Sequence, residues 1–253
     1  ERGGGLLVTG QTGFFNQNGG LQEVSRLNDI VGFDKTEEVR IPESFDSYMK
    51  IKSDHPVTKG IPKGEMIPSY GVYQSVQPKD DANTLARLVK ESPAHYAPLG
   101  KETEIPALLS HDLLAGGGRV VYIPTSFGEQ YLQFGVEDHK NIIANSVRWI
   151  GGKSPVRVEN CPETMELTTY RQGKDKIIVH LVKSIRNEKI RPIPKTPRVS
   201  NITLKVDKGK VDQEEGKIIF PTTRDLSKDT EGNYLVFDLP KVKEHTIISI
   251  GGG

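Results

Sequence analysis

The segment Val8-Thr9-Gly10-Gln11-Thr12-Gly13 is where this chain comes nearest to a catalytic motif. A strand that runs into glycines on either side of one residue is how a nucleophile elbow presents a Ser or Cys. The glycines are present, but Gln11 stands where the nucleophile belongs, and an amide does not attack. The single cysteine, Cys161, lies about 150 residues later. The same glycines make no phosphate loop, because neither a following Lys-Ser/Thr pair nor a GxGxxG spacing is present. Gly10 and Gly13 therefore read as turn residues.

Two histidines are candidates for a ligand contact. His55 lies in Asp54-His55-Pro56, and His139 follows Glu137 and Asp138. An imidazole at either place can orient a ligand. The competing reading is structural: an Asp-His-Pro turn for the first, the start of a helix for the second. His95, His111, His180 and His245 are scattered, and none has the i, i+4 partner of a helical metal pair. His180 falls among Ile178 and Leu181, where a surface or strand-pairing role is expected.

Hydrolysis of glycosides needs paired carboxylates. Glu129, Glu137 and Asp138 lie near a strand end, the place where functional residues of α/β domains collect. Three neighbouring acids among the 33 in the chain are also expected by chance. No catalytic, cofactor-binding or metal-ligating residue is assigned, and no cofactor is expected. Aromatic area is concentrated in Tyr122, Phe127, Tyr131, Phe134 and Trp149. Core packing accounts for most of it, Trp149 above all. Tyr131 and Phe134 are the better candidates for an interface or a sugar contact. With His55 and His139 they make up the candidate contact residues.

The elements that must carry these residues are of two kinds. Up to Gly152, strand and helix signals alternate. Leu6–Val8 is a short apolar run between glycines, a strand covered on both faces. Leu21–Ile30 places apolar residues at three-residue spacing and reads as an amphipathic helix. Phe33–Ser53 reads as loop with short strands, and Ser69–Gln77, Thr84–Val89 and Arg119–Ile123 as strands. Asp138–Ile150 has helical spacing, with Asp138 as N-cap and Gly151-Gly152 as its end. Alternation of this kind predicts a parallel α/β sheet. Beyond the linker Lys153-Ser154-Pro155 the pattern changes. Thr164–Tyr170, Lys176–Val182, Ile202–Val206, Lys217–Phe220, Tyr234–Leu239 and His245–Ile250 predict an all-β sandwich. Arg186–Arg198, with three prolines, reads as an extended surface loop. The predicted domains are 1–152 and 153–253. The apolar strand at 6–8 needs neighbours on both sides, so the chain is expected to be the C-terminal portion of a longer protein.

Composition excludes several classes. Of 253 residues, 34 are basic and 33 acidic, a net charge of +1. That balance lacks the dense positive field of a nucleic-acid binder. No apolar run approaches the roughly 20 residues of a membrane helix. One cysteine excludes an internal disulfide and a cysteine-built zinc site. It does not assign a compartment, because many exported bacterial proteins also lack disulfides.

Four segments together carry a resemblance: GGGLLVTGQTG at 3–13, SDHPVTKGIP at 53–62, GGGRVVYIPTSFGEQY at 116–131 running into DHKNIIANSVRWI at 138–150, and the pair ETMELTTYRQ and KIIVHLV at 163–172 and 176–182. The first three resemble the glutamine-amidotransferase-like α/β domain known as the trimerisation domain of family 42 β-galactosidases, which also occurs in ThuA-like proteins. The fourth resembles the β-sandwich that follows this domain in bacterial glycoside-hydrolase-like proteins, some related to α-L-fucosidases. The resemblance implies an incomplete flavodoxin/amidotransferase-like sheet followed by a sandwich. It also implies a preceding (β/α)8 barrel that carries the catalytic carboxylates, and a homo-oligomeric parent. The role implied for this chain is scaffold and subunit association. Two alternatives stay open: a pair of carbohydrate-binding modules, and a stand-alone ThuA-like sugar-related enzyme.

Overall fold

The computed structural model of the chain describes residues 3–22, 27–40, 47–92, 96–113, 117–162, 164–173, 175–183, 199–242 and 244–252. The chain divides into two compact units, Glu1–Lys153 and Ser154–Gly253. It is mostly β, with several sheets and few helices. No helix among the described residues is long and apolar enough to cross a membrane.

The first unit contains strands β1 (Gly5–Thr9), β2 (Phe33–Arg40), β3 (Tyr48–Ile51), β4 (Met66–Pro68), β5 (Tyr73–Pro78), β6 (Asn83–Val89), β7 (Glu102–Leu113) and β8 (Gly118–Ile123), and helices α1 (Asn28–Val31), α2 (Phe127–Phe134) and α3 (Glu137–Gly151). Its main sheet has the order β1-β8-β7-β6-β3-β4, and β2 pairs with β5 in a separate ribbon. Among the described residues only β1 and β8 pair in parallel. The other neighbours are antiparallel. This corrects the expectation of a parallel, flavodoxin-like sheet. Leu113 and Gly118 are too close in sequence for a crossover, which takes a dozen residues or more, so β8 must return antiparallel to β7.

The alternation within β8 explains the apolar run at its end, Val120–Ile123. Val121 and Ile123 enter one core with Phe127 and Ile142. Val120 and Tyr122 enter another with Phe14, Phe33 and Val76. Helices α2 and α3 thus cover one face of this strand and the β2–β5 ribbon the other, the arrangement that buried strands require. Among the described residues β1 is the outer strand of the sheet, with Leu6 and Leu7 half-buried and Val8 buried, whereas its apolar run predicts a neighbour on each side.

Three further details differ from expectation. Leu21 bridges Phe15 rather than starting a helix, and the helix near it is the single turn α1; residues 23–26 lie outside the described residues. α3 begins after Val136, with no side-chain cap. Asp138 sits instead in the first turn, where a carboxylate still favours the helix dipole. β7, central in the sheet, contains Pro106 at a point where the register against β6 shifts, which is where a sheet tolerates proline.

The second unit contains β9 (Val156–Glu159), β10 (Met165–Gln172), β11 (Lys176–Lys183), β12 (Ile202–Asp207), β13 (Gly216–Phe220), β14 (Arg224–Asp225), β15 (Lys228–Glu231), β16 (Tyr234–Leu239) and β17 (His245–Gly251). Two antiparallel sheets, β10-β11-β17-β13-β14 and β15-β16-β12-β9, share one core. The inward residues alternate: Ile177, Val179 and Leu181 on β11, Ile202, Leu204 and Val206 on β12, Leu235, Phe237 and Leu239 on β16. All six predicted strands are present, and the unit is a β-sandwich. The predicted loop 186–198 lies outside the described residues.

Candidate functional site

The turn after β1 is closed by the backbone. Gly10 N–H donates to the carbonyls of Ile123 and Thr125 at 2.8 and 3.0 Å, and its own carbonyl accepts from the Tyr122 hydroxyl at 3.0 Å. Burial pushes the Tyr122 phenol far above its ordinary pKa, so it stays a donor. Gly10 has φ +58, the left-handed region. The glycines at this strand end serve a tight structural turn, and Gln11 is only half-buried beside it.

His55 and His139 are both held by the backbone, at two places along α3. The turn at His55 is a reciprocal cap. The Val57 N–H donates to His55 Nδ1 at 3.2 Å, and the His55 N–H donates to Thr58 Oγ1 at 3.0 Å. The ring stands edge-on to Trp149, 4.8 Å between centroids. Arg119 lies over the same indole at 5.2 Å and donates to the Trp149 carbonyl. Asn145 secures the turn by donating to the carbonyls of Val57 and Lys59. Burial lowers the pKa of His55.

His139 is fully buried. Its Nε2–H donates to the Pro68 carbonyl at 2.6 Å, and its ring lies 4.2 Å from Phe127. A carbonyl can only accept, so Nε2 carries the proton. Nδ1 is buried without a partner. Burial holds its pKa below the ordinary value, against the opposing pulls of Pro68 and Asp138.

The residues after β4 are gripped from α2 as well. Gln130 accepts from the Tyr70 N–H at 2.9 Å and donates to the Tyr70 carbonyl at 2.6 Å. Phe134 packs edge-on against the Tyr70 ring at 5.1 Å. The structure therefore gathers His139, Gln130 and Phe134 around segment 68–70, and sets His55 with Trp149. Tyr131 is half-buried on α2. Beyond these contacts the helical layer shows apolar side chains to solvent: Leu132 is 80% exposed, Val147 52% and Phe134 46%. Glu129 and Glu137 are exposed, and Glu137 is paired with Lys140 at 2.9 Å. These strand-end acids form no facing pair.

The second unit has a feature that the sequence did not reveal. On the outer face of its five-stranded sheet, four rings follow one another across β10, β11, β17 and β13. Tyr170 meets His180 at 5.5 Å, His180 meets His245 at 5.4 Å, and His245 meets Phe220 at 5.2 Å. The two imidazoles approach to 3.2 Å, Nδ1 of His180 to Nε2 of His245. Each histidine occupies an outward position of its strand, but only the β11–β17 pairing unites them. Tyr234 lies elsewhere, under the Arg157 guanidinium. An open cleft of about 680 Å³ is lined by Glu214, Lys217, Asp225 and Lys228, whose charges pair with one another. In a shallower one, Asp175 bonds to Asp212, which raises the pKa of Asp175. No group of three or more His, Cys, Asp or Glu side chains among the described residues has metal-holding geometry.

No family model and no curated protein sequence matches the chain. Solved structures do match it. An α-L-fucosidase (isoenzyme 2) from Paenibacillus thiaminolyticus aligns with TM-score 0.66 and 15% identity, covering 98% of this chain and 36% of that one. A GH42 β-galactosidase from G. stearothermophilus aligns with TM-score 0.53 and 13% identity, covering 98% and 28%. Both likenesses are of fold. The chain spans about a third of the length of these enzymes.

Proposed function

We propose that this chain is a non-catalytic part of a glycoside-hydrolase-related protein. Its first unit, a domain of the trimerisation type, associates with a second copy of itself, and its sandwich acts as a brace. The catalytic carboxylates belong to a barrel that precedes both units. Support comes from the fold shared with a fucosidase and a β-galactosidase over 98% of the chain. The parallel β1–β8 pair packed against α3 is compatible with that reading. The observation that carries the association is the apolar surface of the helical layer, with Leu132 80% exposed. A leucine left in water forgoes about 1.5–3 kcal/mol of burial.

Light scattering across a concentration series tests the reading. The chain is expected to self-associate, and Leu132→Glu with Val147→Glu to weaken association about tenfold or more. A chain that stays monomeric up to about 100 μM would refute it.

A second reading, an oligosaccharide contact on the sandwich, is favoured by Tyr170, 58% exposed in the row of rings. Glycan binding lost in Tyr170→Ala would support it over the first.

A further inference from the structure

We propose that His180 and His245 form a two-ligand site for a divalent transition-metal ion, Zn²⁺, Ni²⁺ or Cu²⁺, on the outer face of the five-stranded sheet. Two imidazole nitrogens, each about 2.0–2.1 Å from one tetrahedral ion, stand about 3.3 Å apart. Nδ1 of His180 and Nε2 of His245 stand 3.2 Å apart. That spacing is set by the sheet. His180 lies opposite Ile247 and His245 opposite Val182 in one continuous antiparallel ladder, two residue pairs apart, so both side chains share a face as diagonal neighbours. Neither residue depends on a loop for its place.

The surroundings suit an ion. Both imidazoles are half-buried, so water reaches the site and can fill the remaining coordination positions. The edge of Tyr170 against His180 and the ring of Phe220 against His245 limit how far either imidazole can turn, the role that neighbours of metal ligands commonly play. The other described histidines are committed elsewhere: His55 to Val57 N–H, His111 to the Ile30 carbonyl, His139 to the Pro68 carbonyl. Without an ion, one ring of the pair donates its N–H to the lone pair of the other. On binding, the donor ring carries its proton on its other nitrogen instead. Imidazole ligands favour this group of metals, with Cu²⁺ the tightest.

Calorimetric titration of the intact chain with Zn²⁺, Ni²⁺ and Cu²⁺ in a non-coordinating buffer is the test. One saturable site per chain is expected, tightest for Cu²⁺. Losing a neighbour of a ligand costs about 10–100-fold in affinity, so His180→Gln and His245→Gln should each cost at least that. Zn²⁺ should raise the melting temperature of the parent chain but not of either variant. Imidazole ¹⁵N shifts of the unmutated chain give a readout independent of variant folding: His180 and His245 should move on adding Zn²⁺. Signals from those two rings unmoved at about 1 mM Zn²⁺ would overturn the proposal. So would affinity unchanged in both variants.

Discussion

His139→Ala is expected to destabilise the first unit by about 3 kcal/mol. The imidazole is fully buried, packs on Phe127 at 4.2 Å, and donates to the Pro68 carbonyl at 2.6 Å. Truncation leaves that carbonyl without its donor, worth about 1–3 kcal/mol, and opens a cavity beside Phe127, for which large-to-small core changes cost about 2–5 kcal/mol. Removal of the orphaned Nδ1 offsets part of this loss. Trp149 is the single tryptophan and lies on α3 with His139, so urea unfolding followed by its fluorescence reports on this unit. With an m-value of about 1–3 kcal/mol/M, the midpoint should fall by about 1–3 M. A second arm uses pH. Burial depresses the pKa of His139, and of His55. Between the folded value and the unfolded value near 6.5, the unfolded chain therefore binds more protons, and stability rises with pH. This contribution is present above about pH 6.5 and is lost as pH falls through the folded value. The parent should weaken from pH 7 to 5.5, and His139→Ala should weaken less steeply. A midpoint shift below about 0.3 M, or an equal pH slope in parent and variant, would refute the reasoning.

Gly216→Ala should destabilise the sandwich. A Cβ there would stand 2.5 Å from Phe237 Cε1, and overpacking of this kind costs about 1–3 kcal/mol. Faster hydrogen exchange at the β13 and β16 amides would show it. Gln130→Ala removes both hydrogen bonds to the Tyr70 backbone, at about 2 kcal/mol. It should also weaken self-association, because Tyr70 is what Phe134 rests on. Unchanged exchange at the Tyr70 amide would count against that grip.

The legible parts of the sequence were those in which one face of an element is apolar. Ile177, Val179 and Leu181 alternate with half-exposed neighbours, and β11 follows directly. The spacing of Ile142, Ile143, Val147 and Ile150 gave α3, with Ile142 buried although Val147 is exposed. β7 was not legible, because its acidic start and Pro106 contradict strand propensity. Its burial between β6 and β8, with Tyr73 donating to the Pro106 carbonyl, outweighs that. α2 was hidden in a similar way. Its aromatic residues read as scattered contacts, whereas the positive φ of Gly135 ends a two-turn helix. His139 looked like a helix-start residue with a ligand option. Its position at the helix start was readable, but its bond to Pro68, 71 residues away in sequence, was not.

By itself the sequence determined the change of architecture after residue 152, the alternation that makes the second unit a sandwich, and the absence of a nucleophile at Gln11. These are local properties: spacing, side-chain chemistry and the turn residues between runs. Only the tertiary structure decided that the first sheet is mainly antiparallel, that His55 and His139 are tied to backbone turns, and that His180 meets His245. Each of these depends on which strands pair and in what register. Strand pairing joins residues far apart in the chain, so no local pattern encodes it.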